Sequence, residues 1–568
     1  MKNKNTLTIL SLLASSLLLA QTPPKAPNIG DMQRLVKPPK EVEKAQKQKR
    51  YTPPPKIQGS KEYAPTLSDS GKTIFVKSFK FSGAEHLEES HLLKIISSYT
   101  NKDLTFTQLQ EVTSLITKEY RSRGYFVARA YIPVQDISKN DGVLTIAIIE
   151  GKYGEFRLKN SSRVKNSIVQ WMLDDAKRDN IVSTHTLERS MLIINDTPGV
   201  VVTAADVMPG VEVGTSDFDI TSEASNMLDG YAIVDNTGSR YTGNNRLMAG
   251  INVNSPFKIG DRLSFNGLIT DTADLKNARL AYSIPLMANG LRAEVSYSHT
   301  AYKLSKEYES LDARGESKIA DMTLSYPIIR TRVQNLYTTI NFANKEFEDE
   351  IRSTDDMTKK NIKSLNIGLD YDKTHLVSGL KSFTELNMNY TFGSLSFDDA
   401  AKELADKAGA NTSGEYSKIV LDLQNTLKFT PKLSLESSLT FQHAFSNKNL
   451  DGSEDFSIGG SEGVKLYPDS EFSAENGYLL NLELKYALPN YNKLTNTLGV
   501  FYDRARAYMA DNSVNFNSET LEDMGIGYYA SYDSFFSKLQ IAWNIDNQQV
   551  QSEPNRSSRV LFQGGLIF

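Results

Sequence analysis

Residues 478–486 read Y-L-L-N-L-E-L-K-Y, and this stretch indicates the fold of the C-terminal part of the chain. Apolar side chains occupy every second position, with tyrosine at both ends and leucine between: Tyr478, Leu480, Leu482, Leu484 and Tyr486. Successive side chains of a β-strand point to opposite faces, so Asn481, Glu483 and Lys485 share the other face. An aromatic ring at each end of an apolar face is typical of a strand that crosses a hydrocarbon layer.

The same alternation recurs from about residue 222 to the end. It is clear in residues 291–298, 386–392 and 433–445, and in the terminal V-L-F-Q-G-G-L-I-F of residues 560–568. A terminal aromatic residue on an alternating strand is typical of barrels inserted into a bacterial outer membrane. At about 21 residues per strand and turn, roughly 345 residues give about 16 strands, an allowed even number. The sequence therefore predicts a transmembrane β-barrel of about 16 antiparallel strands over residues 222–568.

Alternation alone also fits a soluble β-sandwich, which buries one face of each strand and solvates the other. Three features favour the membrane barrel: the strands are long, short and long connections alternate, and the last strand ends on Phe568. We expect Phe562, Leu566 and Phe568 to form the signal that barrel-assembly machinery recognises.

The N-terminus indicates the compartment. Lys2 and Lys4 precede an uncharged apolar run, which makes residues 1–20 a typical secretory signal peptide. Residues 21–70 are rich in Pro, Lys and Gln and predict an extended linker. Within that linker, Ile29 to Val36 could form a short helix.

Composition argues against several classes of function. The chain has no Cys and six His, and this leaves little for a metal site. Its net charge of −4 provides no strong field for nucleic acid. The histidines show neither metal-binding nor triad-like spacing, and no Walker motif is present. We therefore expect no catalytic residue, no metal and no cofactor, and a protein that is not an enzyme.

Residues 71–152 predict a compact mixed domain in the order β-α-α-β-β. Strands are expected over residues 74–81, 126–133 and 143–150, and helices over residues 90–98 and 105–123. Thr105 and Gln108 form a capping box, and Gly124 ends the longer helix. Residues 153–221 repeat the order, with helices over 161–175 and 186–195 and strands over 200–207 and 211–220. Two copies in series indicate a modular arm rather than one large enzyme domain.

Several motifs in order resemble the hemolysin and filamentous-hemagglutinin secretion/activation proteins, the outer-membrane transporters of two-partner secretion. Y-R-S-R-G-Y-F-V-A-R-A-Y-I-P-V-Q-D-I (120–137) resembles that family's first polypeptide-transport-associated (POTRA) domain. L-E-R-S-M-L-I-I-N-D-T-P-G-V (187–200) and P-G-V-E-V-G-T-S-D (209–217) resemble its second, and D-N-T-G-S-R-Y-T-G-N-N-R-L (235–247) resembles its barrel entry. Within the POTRA motifs, the candidates for capturing a partner are Arg121, Arg123, Tyr125, Arg129, Tyr131, Gln135, Asn195 and Pro198.

Two further motifs resemble a long loop that folds into the lumen and its contact on the wall. G-G-S-E-G-V-K-L-Y-P (459–468) is similar to the loop tip, and the loop is expected over about residues 446–476. G-V-F-Y-D-R-A (499–505) is similar to the strand whose Asp receives an Arg of that tip. The resemblance implies a lumenal lock that comprises Lys465, Asp503, Gly463, Val464 and Tyr467.

Physical chemistry favours the same pairing. Alternation places Asp503 on the lumenal side of its strand with Thr497 and Gly499. A carboxylate on the wall of a narrow lumen needs a cation, and Lys465 can supply one. Lys cannot make the two parallel hydrogen bonds that Arg makes to a carboxylate, so the sequence does not determine how strong this contact is. The alternative is that Lys465 is a solvated loop residue.

The resemblance implies a function. The two POTRA domains, in the periplasm, would capture a large exoprotein in unfolded form, and the barrel would conduct it to the cell surface of a Gram-negative-type bacterium without ATP. Further expected partners are outer-membrane lipid and, during biogenesis, the barrel-assembly machinery, but no nucleic acid. Residues 29–36 are the candidate for the family's pore helix, with a surface linker helix as the alternative.

Two other functions remain open from the sequence. A barrel-assembly factor of the same superfamily would share the barrel and the loop, but it normally carries more than two POTRA domains. A passive porin or adhesin would not need paired mixed domains ahead of its barrel.

Overall fold

The computed structural model describes residues 26–44, 55, 72–469, 471–511, 517–545 and 548–568. The expected signal peptide and most of the predicted linker lie outside these described residues. None of the helices in the described ranges is both long and apolar enough to cross a membrane.

A short helix, α1 (Ile29–Leu35), precedes the first folded domain. Its N-terminus carries a capping box, in which the Asn28 side chain accepts from the Asp31 backbone and the Asp31 side chain accepts from the Asn28 backbone. This reciprocal pair satisfies N–H groups that a helix leaves without intrahelical partners, so seven residues can hold a helical turn.

The first module, residues 72–151, pairs a three-stranded sheet with two helices. Its elements are β1 (Thr73–Val76), β2 (Ser78–Ser82), α2 (Glu89–Ile95), β3 (Lys102–Thr105), α3 (Phe106–Ser122), β4 (Arg129–Tyr131) and β5 (Val143–Ile149). The sheet order is β2-β5-β4, and β1 pairs separately with β3. The capping box of Thr105 and Gln108 is present. The single strand expected over residues 74–81 divides at Lys77, whose N–H donates to Gly142 O over 2.8 Å.

The second module, residues 152–223, has the same plan. It comprises β6 (Lys152–Asn160), α4 (Asn166–Asp174), α5 (Thr184–Asn195), β7 (Val201–Pro209) and β8 (Thr215–Glu223), with sheet order β6-β8-β7. Two expectations were wrong here. The helix expected from Ser161 begins at Asn166, because Asn160 and Ser162 form a turn of side-chain hydrogen bonds first. Residues 211–213 form the β7–β8 turn rather than a strand.

Sixteen antiparallel strands close into a barrel, which confirms the predicted fold class. They are β9 (Leu228–Asp235), β10 (Arg246–Asn254), β11 (Arg262–Thr270), β12 (Leu275–Pro285), β13 (Arg292–Lys303), β14 (Ala313–Arg330), β15 (Gln334–Ile351), β16 (Asp356–Val377), β17 (Leu380–Phe397), β18 (Gly414–Lys428), β19 (Leu433–Ala444), β22 (Asn476–Ala487), β23 (Leu494–Tyr508), β24 (Ser518–Tyr532), β25 (Phe535–Asn544) and β26 (Ser558–Ile567). Pairing of β26 with β9, from Gln563↔Asp235 to Ile567↔Tyr231, closes the ring.

The barrel wall separates apolar from polar side chains as the alternation predicts. On β23, Leu498 and Val500 are exposed on the outer face, whereas Phe501 and Asp503 are buried on the lumenal face. Between β17 and β18 lies a helix, α6 (Ala400–Ala408). The connection from β19 to β22 carries two short paired strands, β20 (Phe456–Ser457) and β21 (Ser473–Ala474). We call this connection, residues 445–475, the lumenal loop.

Candidate functional site

The tip of the lumenal loop contacts the barrel wall through a buried ion pair. Lys465 Nζ donates to Asp503 Oδ2 over 2.6 Å, and only 9% of the lysine side chain and none of the aspartate side chain is exposed. The ammonium also lies 4.5 Å from the centroid of the Phe501 ring, a cation–π arrangement. The structure thus brings together, in a buried place, the two charges that the sequence pairs.

A second carboxylate, which sequence reasoning missed, completes this contact. Asp523 on β24 faces Asp503 directly across the two strands and is also fully buried. It accepts the Leu466 N–H over 2.6 Å. Asn481 donates to Asp503 Oδ1 over 2.7 Å and to Gly463 O over 3.1 Å. Lumenal alternation along β24 was the one available signal for Asp523.

The other predicted tip residues lie in the same buried turn. Val464 N donates to Ile458 O over 2.9 Å, and Tyr467 OH donates to Gln548 O over 3.1 Å. A side chain at Gly463 would collide with the backbone of Gly459. Arg559 on β26 donates to Tyr467 O over 2.7 Å, so the tip is also held by a strand that the sequence did not associate with it.

The stem of the lumenal loop is tied to the wall by further buried charges. Asp451 accepts from Lys360 over 2.6 Å, and Glu454 lies 2.5 Å from Lys345 and 2.9 Å from Lys418. The lysines belong to β16, β15 and β18, and the acids to the loop. Acidic loop residues therefore meet basic wall residues along the lumen, which is the arrangement that buried charges require.

Helix α1 lies inside the barrel, among buried side chains of the lumen. Ile29, Met32 and Leu35 are buried against wall residues of one apolar cluster. Ile29 N donates to Asp349 Oδ1 over 2.8 Å, and Arg246 donates to Leu35 O over 2.8 Å. Side chains of the wall thus bind the backbone at both ends of the helix. The sequence alone left open whether this helix lies in the pore or on the surface.

A cluster of four charges joins the segment after α1 to the tip of the loop. Lys40 lies 3.2 Å from Glu462 of the tip. Lys538 on β25 lies 3.5 Å from Glu41 and 3.7 Å from the same Glu462. One acidic loop residue therefore contacts both the α1 segment and the wall. Sequence reasoning did not find Lys538, because its role depends on two segments distant in the chain.

Five of the capture candidates lie on the stretch that runs from the end of α3 through β4. Arg121, Arg129 and Tyr131 are exposed, and Arg123 pairs with Glu119 over 2.7 Å. Tyr125 packs against Tyr120, whose hydroxyl donates to buried Glu150. Burial opposes ionisation of Glu150, but hydrogen bonds from His86 and Tyr120 outweigh it and hold the pKa of this carboxyl below its usual value.

Three other candidates make backbone contacts or are buried. Gln135 bonds to the β5 backbone: its Nε2 donates to Thr145 O over 2.7 Å, and Thr145 N donates to its Oε1 over 2.9 Å. Asn195 accepts from Val202 N over 2.7 Å within the second module, and Pro198 is buried. Asn195 and Pro198 are therefore not brought together with the exposed candidates of the first module.

The predicted assembly-signal residues lie at the end of the chain on the outer face. Phe562 and Phe568 are exposed there and Leu566 is half-buried. Phe568 exchanges two backbone hydrogen bonds of 3.0 Å with Gly230 at the start of β9. Across the described ranges, no group of three or more His, Cys, Asp or Glu residues is placed to hold a metal ion.

Comparison with known families identifies this architecture. The family described as haemolysin secretion/activation protein ShlB/FhaC/HecB matches residues 214–517. The chain belongs to this family. A POTRA domain of ShlB type matches residues 74–151. The protein is therefore a two-partner secretion transporter of the outer membrane, with its POTRA domains in the periplasm, and its family is one of transporters rather than enzymes.

Two relatives are similar to this chain along most of its length, and a solved structure shares its fold. The heme/hemopexin transporter protein HuxB of Haemophilus influenzae (strain 86-028NP) is 28% identical over 467 residues, which cover 81% of each chain. The outer membrane transporter CdiB of Dickeya dadantii (strain 3937) is 22% identical over 74% of this chain and 75% of its own length. The structure of CdiB from Escherichia coli superposes with a TM-score of 0.75 at 20% identity, over 95% of this chain and 98% of that chain.

Proposed function

We propose that this transporter captures one large exoprotein, unfolded in the periplasm, and passes it through a pore that α1 and the lumenal loop close at rest. The observation that carries the proposal is the filled lumen. Among the described residues, α1 and the lumenal loop occupy it, and the contacts reported above hold both of them through side chains and not through pairing with strands of the wall. Such a closure can be withdrawn without breaking the barrel ladder.

Capture is assigned to the first module, where β5 extends past its short partner β4. Strand β4 pairs with residues 147–149 of β5 only, and Gln135 occupies the neighbouring backbone positions at Thr145. An extended peptide could displace this single side chain and add a strand there. Strand addition reads backbone more than side chains, which suits an unfolded client.

Arg129 and Tyr131 lie on the face of β4 opposite its buried Ala130. The guanidinium of Arg129 and the ring of Tyr131 lie beside the edge of β5 from which Gln135 would be displaced, and there they can contact side chains of the added strand. These two residues supply the specificity that backbone pairing lacks.

We assign the lock role to Lys465 and Asp503, with Gly463, Val464 and Tyr467 shaping the tip. Their burial makes the seated position well defined, because a single displaced tip would leave charges without partners. The driving force is folding of the exoprotein outside the cell, which withdraws the unfolded form from equilibrium and needs no ATP. Outer-membrane lipid surrounds the apolar outer face, and barrel-assembly machinery inserts the chain by its last strand.

The decisive experiment compares the surface and medium proteins of wild-type cells and cells lacking this gene by quantitative mass spectrometry. We expect one very large exoprotein to disappear from both fractions. Unchanged fractions would contradict the proposal, and a general loss of outer-membrane barrels would indicate an assembly factor instead.

A photo-crosslinking amino acid at Tyr131 of the full-length transporter tests the capture site. We expect it to crosslink that exoprotein, whereas the same probe at Lys94, on α2 of the same module, serves as the matched control. Equal yields at both positions would contradict the assignment of the capture site.

A further inference from the structure

Helix α5 of the second module connects the first module to the barrel. At its N-terminus, Thr184 N donates to Gly124 O over 2.8 Å, and just before it Val182 N donates to Gly151 O over 3.0 Å. Side chains of Phe126 and Val127, from the first module, pack against the core of the second. The two modules are therefore joined by hydrogen bonds and apolar packing, and we call them together the arm.

The C-terminus of α5 ends on an acidic residue that binds the barrel. Asp196 is the C-cap, where the helix dipole disfavours a negative charge. Its carboxylate receives two bonds from the Arg330 guanidinium, of 2.7 and 2.8 Å, and one of 3.2 Å from Tyr337 OH. Arg330, at the end of β14, is only 1% exposed. The helix dipole disfavours the carboxylate of Asp196 at this position, and its ion pair with Arg330 of the barrel compensates for that.

Further contacts surround this pair. Arg332 donates to Glu188 over 2.8 Å, and Arg189 donates to Pro327 O over 2.7 Å. Gly199, with φ of +92°, packs so closely on Ser255 that a Cβ there would lie 2.6 Å from the Ser255 Cβ. Polar contacts and close packing thus connect the second module to several turns at one rim of the barrel.

We propose that Asp196 and Arg330 are positioning residues for secretion, which hold the arm in one orientation beneath the barrel so that captured chain is directed into the lumen. A bidentate guanidinium–carboxylate pair fixes direction as well as distance, because two parallel bonds define a plane. Replacing a buried pair with apolar residues is often neutral for stability, so we assign this pair a role in fixing a geometry, that of the arm relative to the pore. The inference rests on the proposed function.

The arm orientation can be measured without any partner. The chain has no Cys, so single cysteines at Lys139 on the first module and Lys432 on a barrel turn can carry spin labels. In proteoliposomes we expect a narrow distance distribution for the wild type and a broad one for Asp196→Ala. Asp174→Ala is the matched control, because it removes an exposed carboxylate of the same module, paired with Lys177 over 3.2 Å.

Secretion provides the second readout. Asp196→Ala should insert as a heat-modifiable barrel and lower secretion several-fold, whereas Arg330→Lys, which keeps the charge but loses the fork, should lie between it and the wild type. A narrow distribution for Asp196→Ala, or a broad one with normal secretion, would overturn the positioning role. If wild-type cells secrete no exoprotein, the proposed function fails, while the distance result still tests the docking contact.

A covalent tether separates positioning from movement. Lys165 N donates to Lys258 O over 2.9 Å between the second module and the barrel. Such a bond brings two Cα atoms to about 5 Å, within disulfide range. The double cysteine variant should secrete normally when oxidised and should restore secretion to Asp196→Ala. Loss of secretion on oxidation, reversed by a reductant, would show that the arm must leave the barrel and would overturn the inference.

Discussion

Replacing Lys465 with Met should unseat the lumenal loop more than replacing Asp503 with Asn. In the wild-type contact Lys465 Nζ donates to Asp503, and the buried carboxyl group of Asp523 faces Asp503 across β23 and β24. Lys465→Met leaves these two facing carboxyl groups without a cation, so that they either repel each other or take up a proton at a cost. Asp503→Asn leaves a single carboxyl group together with the lysine.

Coulomb's law sets the scale of this difference. Side chains directly opposite on neighbouring strands lie about 5 Å apart, and at an effective dielectric constant of about 20 two like charges repel by about 3 kcal/mol, which is an upper limit because proton uptake by one carboxyl group relieves the repulsion. A cost of this size is absent from Asp503→Asn, and it is comparable with the net contribution of the several hydrogen bonds that otherwise hold the tip.

Proteinase K digestion of intact cells measures the seating of the loop, and conductance in planar bilayers measures the closure of the pore. We expect faster cleavage and larger conductance for Lys465→Met than for Asp503→Asn, with both variants inserted, because the strand ladder is intact. Adding Asp523→Asn to Lys465→Met should restore part of the protection. A Lys465→Met loop as resistant as wild type, or a double variant no better than the single, would refute the charge balance.

Four further outcomes are expected. Lys465→Arg should keep or tighten the lock in the same protease assay, because Arg can engage a carboxylate with two bonds; faster cleavage would contradict this. Deleting residues 71–152 should abolish secretion yet leave a heat-modifiable barrel, because the first module and the lumen have separate cores; normal secretion would exclude a capture role. Phe568→Ala should lower the amount of inserted barrel rather than transport per barrel, as seen by quantitative blotting of outer membranes. With the loop tip disulfide-bonded to the wall, a spin label on α1 should still report departure of the helix from the lumen; a label that stays immobile would indicate that the loop must move first.

The barrel was predictable because alternation is a local property. The apolar character of residues such as Leu480, Leu482 and Leu484 indicates which side of the wall they face. The number of such alternating segments along the chain gives the number of strands, and an even number of strands is consistent with a closed barrel. Local signals also misled where a turn interrupts an apolar run. Residues 211–213 have strand-like valines, but Gly210 and Gly214 bracket them, and Gly214 takes φ of +87° in the hairpin turn. The glycines were the better signal.

The site was predictable only in part, because much of it depends on pairing between distant segments. Lys465 and Asp503 were paired through motif resemblance, and the local alternation added only that Asp503 lies on the lumenal side of its strand. Asp523 and Lys538 gave no such signal, since each is an ordinary lumenal residue until register places it beside the loop tip. The position of α1 had the same difficulty: seven residues cannot show whether their apolar face packs in a pore or elsewhere.

The charges that close the pore also imply an order of opening. The segment that follows α1 contributes Lys40 and Glu41, whose partners on the loop and the wall are Glu462 and Lys538. These two partners already lie 3.7 Å apart, so withdrawal of Lys40 and Glu41 leaves them paired with each other. The loop tip behaves differently, because Lys465 would leave Asp503 and Asp523 together without a cation. These ion pairs favour departure of α1 while the loop stays in place. An exoprotein that enters from the arm would then meet α1, the more easily removed of the two segments, first.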